Sequence, residues 1–381
     1  MDTIIQLSGL GDTILSYLLP FLFVLTVVVF VHELGHFLVA RWCGVAVKVF
    51  SIGFGPEIFG FYDRQGTRWR VSWIPLGGYV KFIDDENVAS ASGRKAFEAL
   101  PEADRKRSFQ GKSLGQRAAI VAAGPIANFL LAIFIFTVIF SVFGERITAA
   151  KVDAVNPGSA AEQAGFMPGD RVVSIDGTEI TNFSAMQRIV AMSPDHELHF
   201  VVDRGGALID LTATPERKEI TDRFGNTMRI GLLGIQRSAS PDDWTLERHN
   251  PFTAFGMAVN ECYFVISRSL GYLYDVITGR EAADQLGGPL RIAQVSGQVA
   301  TAGFVALLNL AAIISVSIGL INLFPIPMLD GGHLLFYGIE AVRGKPLSES
   351  TQEIGFRIGL AFVLMLMIFA TWNDLIHLKF L

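Results

Sequence analysis

Residues 32 to 36 read His-Glu-Leu-Gly-His. On a helix, positions four apart share a face, so His32 and His36 can offer two imidazoles to one metal ion while Glu33 projects beside them as a general base. The surroundings give the motif its weight: no charge occurs from Thr13 to Val31, and Phe37 to Ala40 is again apolar. An ionisable side chain inside a membrane helix costs roughly 2.5 to 3.5 kcal/mol on insertion scales and is a functional candidate by default. Three in one turn are hard to explain as satisfied core residues. Two histidines still leave a zinc ion short of its usual three protein ligands plus water, so a further ligand is expected from another span. Asp330, in INLFPIPMLDGGH (321–333), is the obvious candidate, and His333 is its rival. Pro325 and Pro327 cannot continue a helix. The chain must open there, and irregular backbone at membrane depth is tolerated only where it is buried or lines a wet cavity.

These residues need a membrane scaffold, and the composition supplies one. Of 381 residues, 51% are hydrophobic and 18% charged, against about 25% charged in a soluble chain. A net charge of −5 offers no basic excess for nucleic acid, which is excluded as a partner. Cys43 and Cys262 are too few and too far apart for a disulfide framework or a cysteine-based zinc site, and read as ordinary thiols. Four stretches approach the roughly 20 apolar residues a bilayer needs: 13–40, 118–144, about 301–324, and 358–373. The first lacks the basic start of a signal peptide, its only early charges being Asp2 and Asp12, so it reads as a retained span. Arg41, Arg117, Arg343, Lys345 and Arg357 flank the ends expected in the cytoplasm, which places both termini and the long segment before residue 300 outside. At 1.5 Å per residue, His32 lies about 24 Å in from Ser16, and the third span travels about 30 Å before its prolines. Both motifs then reach the cytoplasmic side of the membrane.

Between the spans, VKVFSIGF and TRWRVSWI flank a turn at Arg64-Gln65-Gly66 and read as a hairpin rich in Phe and Gly. Ser90 to Lys112 reads as a polar connection, and Asn250 to Arg280 as one or two amphipathic helices rather than a fifth span. Short apolar runs from Ala149 to about Gln236 describe a compact α+β module. Its PGSAAEQAGFMPGD resembles the circularly permuted bacterial PDZ domain, a module that binds extended chains at a sheet edge. Peptide C-termini are therefore possible partners there, and a size filter over the outer entrance is the favoured alternative.

HELGH in one span, GPIANF (124–129) in a second, and NLFPIPMLDGGH in a third resemble the site-2 protease family of intramembrane zinc metalloproteases. The resemblance implies zinc ligands His32, His36 and Asp330, one Zn2+ per chain, and Glu33 as catalytic base. It implies that Asn322, with Pro325 and Pro327 after it, helps hold the substrate backbone. It further implies that PLGGYV, with Gly77, Gly78 and Tyr79, belongs to a membrane-associated β-loop presenting the substrate. Asn128 matches a supporting position near the centre. Implied substrates are transmembrane segments of single-span proteins, anti-sigma factors and remnant signal peptides among them, in a bacterial inner membrane. The best-known relatives have two PDZ modules in tandem, whereas this chain shows one. A silent PDZ scaffold and a small transporter are the competing classes. The intact Glu33 argues against the first, and the lack of an inverted repeat against the second. The expected architecture is a polytopic α-helical membrane protein with a cytoplasmic β-hairpin loop and one extracytoplasmic PDZ domain. Its segments are 1–42 (first span), 43–117 (hairpin loop), 118–144 (second span), 145–236 (PDZ), 237–300 (amphipathic region), 301–335 (third span with LDG) and 336–381 (loop and fourth span).

Overall fold

Nineteen uncharged, mostly apolar residues before His32 leave the first segment no alternative to a helix in lipid, since only internal hydrogen bonds can satisfy its backbone there. In the computed structural model, which describes residues 2–85, 94–221, 227–238, 243–280, 282–283 and 287–377, that helix is α1 (Asp2–Trp42). Among the described residues, four helical stretches are long and apolar enough to cross a membrane: Leu15–Trp42, Leu114–Phe143, Phe304–Asn322 and Glu349–Ile376. No more than a third of each one's most apolar window is buried within the protein. The outward apolar surface is what a bilayer would cover, and the chain is built as a membrane protein. It divides into two compact units, one of Met1–Ile139 with Pro251–Leu381 and one of Phe140–Asn250.

After α1 come β1 (Val47–Tyr62) and β2 (Arg68–Phe82), an antiparallel pair. The strands extend beyond the runs expected from alternation because both bend. Phe50 opposes both Trp69 and Val80, Ile52 opposes both Val71 and Gly78, and 57–62 lies along 68–72. Gly53 and Gly55, at φ of 85° and 88°, make the bend in β1. The hairpin is thereby a curled sheet with segment 78–82 on its edge. Phe50, fully buried with Phe37, Ala40, Val47 and Ile120, fastens it to α1; burying a side chain of this size is worth roughly 2 to 3 kcal/mol. Asp63 ties the turn down, accepting from the N–H groups of Gln65 (2.9 Å), Thr67 (3.1 Å) and Trp69 Nε1 (3.0 Å) and pairing with Arg41. Burial alone would raise the Asp63 carboxyl, but these donors outweigh it and hold the group at about 2. The polar connection expected over 90–112 begins outside the described residues; from residue 94 it contains α2 (Arg94–Ala99) and α3 (Glu102–Arg105). Ser113 and Gln116 then form a reciprocal capping box at the start of α4 (Leu114–Val138).

The second unit holds β3 (Glu145–Ile147), β4 (Ala154–Val155), α5 (Ala160–Gln163), β5 (Arg171–Ile175), β6 (Thr178–Glu179), α6 (Phe183–Ala191), β7 (Leu198–Arg204), β8 (Ala207–Ala213), β9 (Glu216–Thr221), β10 (Thr227–Leu232), β11 (Ile235–Gln236) and β12 (Thr245–Glu247). Four strands form a sheet in the order β6-β5-β7-β8, and the others pair two by two. Val152, Phe166, Val172, Met186, Phe200 and Val202 lie in one core. Asp170, fully buried, accepts both Nε (2.7 Å) and Nη2 (2.8 Å) of Arg204 and the N–H of Met167. That bidentate pair fixes the AGFMPGD loop on β7.

The chain re-enters the first unit as α7 (Pro251–Ile277), a single helix that buries Ala254, Ala258 and Cys262 and packs against α4 and α9. Then follow α8 (Pro289–Ala300), α9 (Phe304–Asn322), α10 (Asp330–Arg343) and α11 (Glu349–His377). Segment 301–335 is thus two helices, with Pro325 and Pro327 in the gap and the LDG motif opening the second. The last helix is longer than its apolar run because its first turns are charged and helical, Glu353 pairing with Arg357 four residues on (2.7 Å).

Candidate metal centre

His32 and His36 lie on the face of α1 turned to α4, and Asp330 is the first residue of α10. Their ligand atoms converge. The two Nε2 atoms are 3.2 Å apart, and Asp330 Oδ2 lies 3.2 Å from His32 Nε2 and 3.5 Å from His36 Nε2. Zinc bonds of about 2.0 to 2.1 Å at tetrahedral angles would separate neighbouring ligand atoms by about 3.3 Å, so the three separations match a shared ion. The hydrogen bonding agrees. Asp330 Oδ2 is buried with no donor aligned on it despite its short distances to the imidazoles, and His36 uses Nδ1 on the main-chain oxygen of Ile120 (2.9 Å), which leaves Nε2 its lone pair. This is the one group of three His, Cys, Asp or Glu residues with metal-binding spacing among the described residues, and His333 is not in it.

Local sequence explains how the parts meet. A Cβ on Gly35 would strike the backbone of Ala123, so its absence lets α1 and α4 pack closely. Gly331 and Gly332 nest the first turn of α10 against the carbonyls of Leu323, Phe324 and Ile326, where side chains would collide. Met328, between them and the prolines, takes a φ of 96°, a conformation costly for a side chain of its kind. Together these fold the LDG motif back toward α1.

A cavity of about 650 Å3 opens on the cluster. Of the residues singled out from sequence, His32, Glu33, His36, Gly78, Tyr79, Asn322 and Asp330 line it. Gly77, Pro325 and Pro327 do not. Gly77 lies under the Phe54 ring, and the backbone of Pro327 rests against Gly359 of α11. Asn128 stands behind the cluster, its amide 3.2 Å from His32 Nδ1. Asn322 is the last residue of α9, its Nδ2 donating back to the Ile318 oxygen (3.0 Å).

Sequence reading passed over the far wall: Met328, Tyr337, Asp85 and the Arg117–Glu340 ion pair (2.7 Å). The partners of that pair are 223 residues apart, a separation no local pattern reveals. Asp85 carries a signal only in three dimensions, since burial pushes its carboxyl up to about 6 against the opposing Phe82 N–H.

A cluster of two histidines and a carboxylate beside a glutamate, in a chain with four apolar helices among the described residues, has the make-up of a membrane-embedded metal-dependent hydrolase. The model of peptidase family M50 matches residues 20–366. A Rhizobium meliloti protein bearing the name of a zinc metalloprotease is 49% identical over 95% of this chain and 97% of its own. Metalloprotease MmpA of Caulobacter vibrioides is 40% identical over 95% and 96%, and regulator of sigma-E protease RseP of Escherichia coli is 34% identical over 94% and 98%. The chain belongs to peptidase family M50, the site-2 proteases, and is a zinc metalloprotease.

Proposed function

We propose that this protease hydrolyses peptide bonds inside the transmembrane segments of single-span membrane proteins, with His32, His36 and Asp330 holding the zinc ion and Glu33 as its catalytic base. The observation that carries the reading is the near-tetrahedral spacing of three ligand atoms, two from the candidate span α1 and one from the first residue of α10, beside Glu33. Zinc, when bound, supplies a Lewis acid that polarises the scissile carbonyl and brings the pKa of water toward about 7. Glu33, in the same cavity, takes the proton of the attacking water and returns it to the leaving amine.

A helical substrate must unwind before its carbonyls are exposed to attack. Segment 78–82 supports a place for it: no further strand pairs beyond this edge among the described residues, and Gly78 and Tyr79 face the cavity. The unwound segment adds there as a strand, and Asn322, on the opposite wall, takes backbone groups released by unwinding. Pro325 and Pro327 contribute by breaking the chain between α9 and α10, and Gly77 by letting the strand pass under Phe54.

The 145–236 module is read as a PDZ domain of the permuted bacterial kind. A cavity of about 700 Å3 between Phe183, Met186 and Val190 of α6 and residues 230–236 supports the reading by offering room for an extended peptide. It is placed on the periplasmic side with both termini, as a filter against bulky ectodomains, while the metal centre lies near the cytoplasmic face of the inner membrane. The alignment with RseP runs over 454 positions, longer than this chain's 381 residues, which supports one PDZ module here where that relative has more chain. The name of that relative favours anti-sigma factors as substrates in regulated intramembrane proteolysis, with remnant signal peptides as a second class.

The test is purified full-length protein with a model transmembrane substrate, comparing wild type with Glu33→Gln. The expected result is one zinc per chain in both and no cleavage by the variant. Cleavage that survives the substitution would sink the mechanism. Labelling single cysteines at the termini from the periplasm tests the orientation, and a cytoplasmic N-terminus would overturn it.

A further inference from the structure

The side of α4 that meets α1 contributes three elements four residues apart. The main-chain oxygen of Ile120 accepts from His36 Nδ1 (2.9 Å), Gly124 leaves room for both imidazoles, and the amide of Asn128 meets His32 Nδ1 (3.2 Å). Asn128 is fully buried. Between Arg117 and Thr137 it is the one residue with a polar side chain. Its Oδ1 has no hydrogen-bond partner, whereas its main-chain oxygen accepts from Ser315 Oγ (2.8 Å).

The two nitrogens of a neutral imidazole are not equivalent: the one that binds a metal ion needs its lone pair, so the other carries the proton and must donate it. With Nε2 of His32 aimed at Asp330 and His36, the proton belongs on Nδ1, and the group opposite must accept. In the structure the amide turns Nδ2, a donor, to that nitrogen. Its two ends are related by a half-turn about the last side-chain torsion, and hydrogen bonding decides between them. Either orientation leaves one amide atom without a partner, but only the one with Oδ1 toward His32 frees Nε2.

We propose that Asn128 is a positioning residue that accepts the Nδ1 proton of His32, fixing the tautomer in which Nε2 can hold zinc, as the Ile120 carbonyl does for His36. The inference rests on the reading of His32 as a zinc ligand. Removing an acceptor of this kind typically weakens metal affinity about 10- to 100-fold.

The experiment measures zinc affinity of the full-length protein in detergent micelles, by competition with a chromophoric chelator, and records the visible spectrum of the cobalt-substituted form. Asn128→Leu, which keeps bulk without an acceptor, is expected to weaken zinc by about 10- to 100-fold and to alter the cobalt spectrum. Asn128→Asp, which keeps the acceptor and loses the donor, is expected to retain both. Ser315→Ala, which removes the hydrogen bond from α9 to the Asn128 main chain and leaves the amide in place, is expected to change neither. Wild-type affinity in Asn128→Leu, or loss in Asn128→Asp equal to that in Asn128→Leu, overturns the proposal. Equal loss in Ser315→Ala overturns it in favour of packing. Should Asn128→Leu fail to fold, Asn128→Asp decides alone, retention supporting and loss rejecting. His32→Ala separates the two layers: if it binds zinc as wild type does, the ligand reading itself falls, whereas if it loses zinc while Asn128→Leu keeps it, only the role of Asn128 falls.

Discussion

Gly124 has no side chain in the space that His36 Nε2 and Cε1 fill, and a Cβ there would also lie 2.9 Å from His32 Cε1. The backbone of α4 is therefore the back wall of the metal centre. Gly124→Ala must push both imidazoles or the helix aside, an overpacking typically costing about 1 to 3 kcal/mol. Because the displaced groups are the proposed ligands, the cost is expected as zinc affinity lowered at least tenfold, with a melting temperature close to wild type. Chelator competition and thermal unfolding of the same preparation check both halves, and zinc binding equal to wild type would refute it.

A second close approach involves Glu33, the proposed base. A Cβ added to Gly78 would sit 2.8 Å from Glu33 Cγ and 2.9 Å from the Ser51 oxygen. Gly78→Val is expected to displace Glu33 or the edge of the sheet without touching the ligands. Cleavage should fall at least a hundredfold while zinc content stays at one per chain, the opposite pattern to Gly124→Ala. Parallel zinc analysis and cleavage assays on the two variants distinguish them.

The contrast between these glycines marks how far the sequence could be read. The spans, the proline break and the histidine pair were legible because each is written in a contiguous run: uncharged stretches, two prolines, an i, i+4 spacing. The convergence of Asp330 on His32 was accessible through depth, since both motifs lie near the same end of their helices. What remained hidden depends on contacts distant in sequence. The GPIANF run marks Gly124 by resemblance, but nothing in it shows that this glycine lies against the imidazoles while Gly115 has nothing within 4 Å of its added Cβ. The curled form of the hairpin was hidden for a related reason, since alternation describes a strand facing one partner whereas Phe50 faces two.

Asp85 gives stability a pH dependence. Burial raises its folded-state carboxyl to about 6, and Asp84 adds to this against the Phe82 N–H and the lysines 81 and 48. A folded pKa above the unfolded value means that folding takes up a proton between about pH 4 and 6, so stability falls as pH rises through that window. Asp85→Asn should remove this component and stabilise the protein at pH 7 by an amount on the order of 2 kcal/mol. The difference in thermal stability between variant and wild type, measured from pH 4 to pH 7, is expected to grow with pH and level off above about 6. A flat difference would show that the carboxyl titrates normally.

Asp374 serves a different end of the membrane unit. It lies in the last turns of α11 and is buried, and its acceptors are taken up by main-chain donors: Oδ1 accepts the N–H of Gly288 (2.8 Å), and Oδ2 those of Leu290 (3.0 Å) and Arg291 (3.1 Å). Gly288 precedes α8 and has no side chain with which to cap it, so the start of that helix borrows its cap from α11. Asn373 adds a bond from Nδ2 to the Ala283 oxygen (2.9 Å). Since α8 also packs against α1, where Gly297 admits Tyr17, the carboxylate links the last span to the first through α8. Asp374→Ala leaves three main-chain donors without their acceptor, at a cost of about 2 to 3 kcal/mol. The expected signature is local, namely faster proteolytic cutting near residues 278–290 together with a lower melting temperature, while zinc content is unchanged because the metal centre shares no group with this cap. Loss of zinc from Asp374→Ala would contradict that separation.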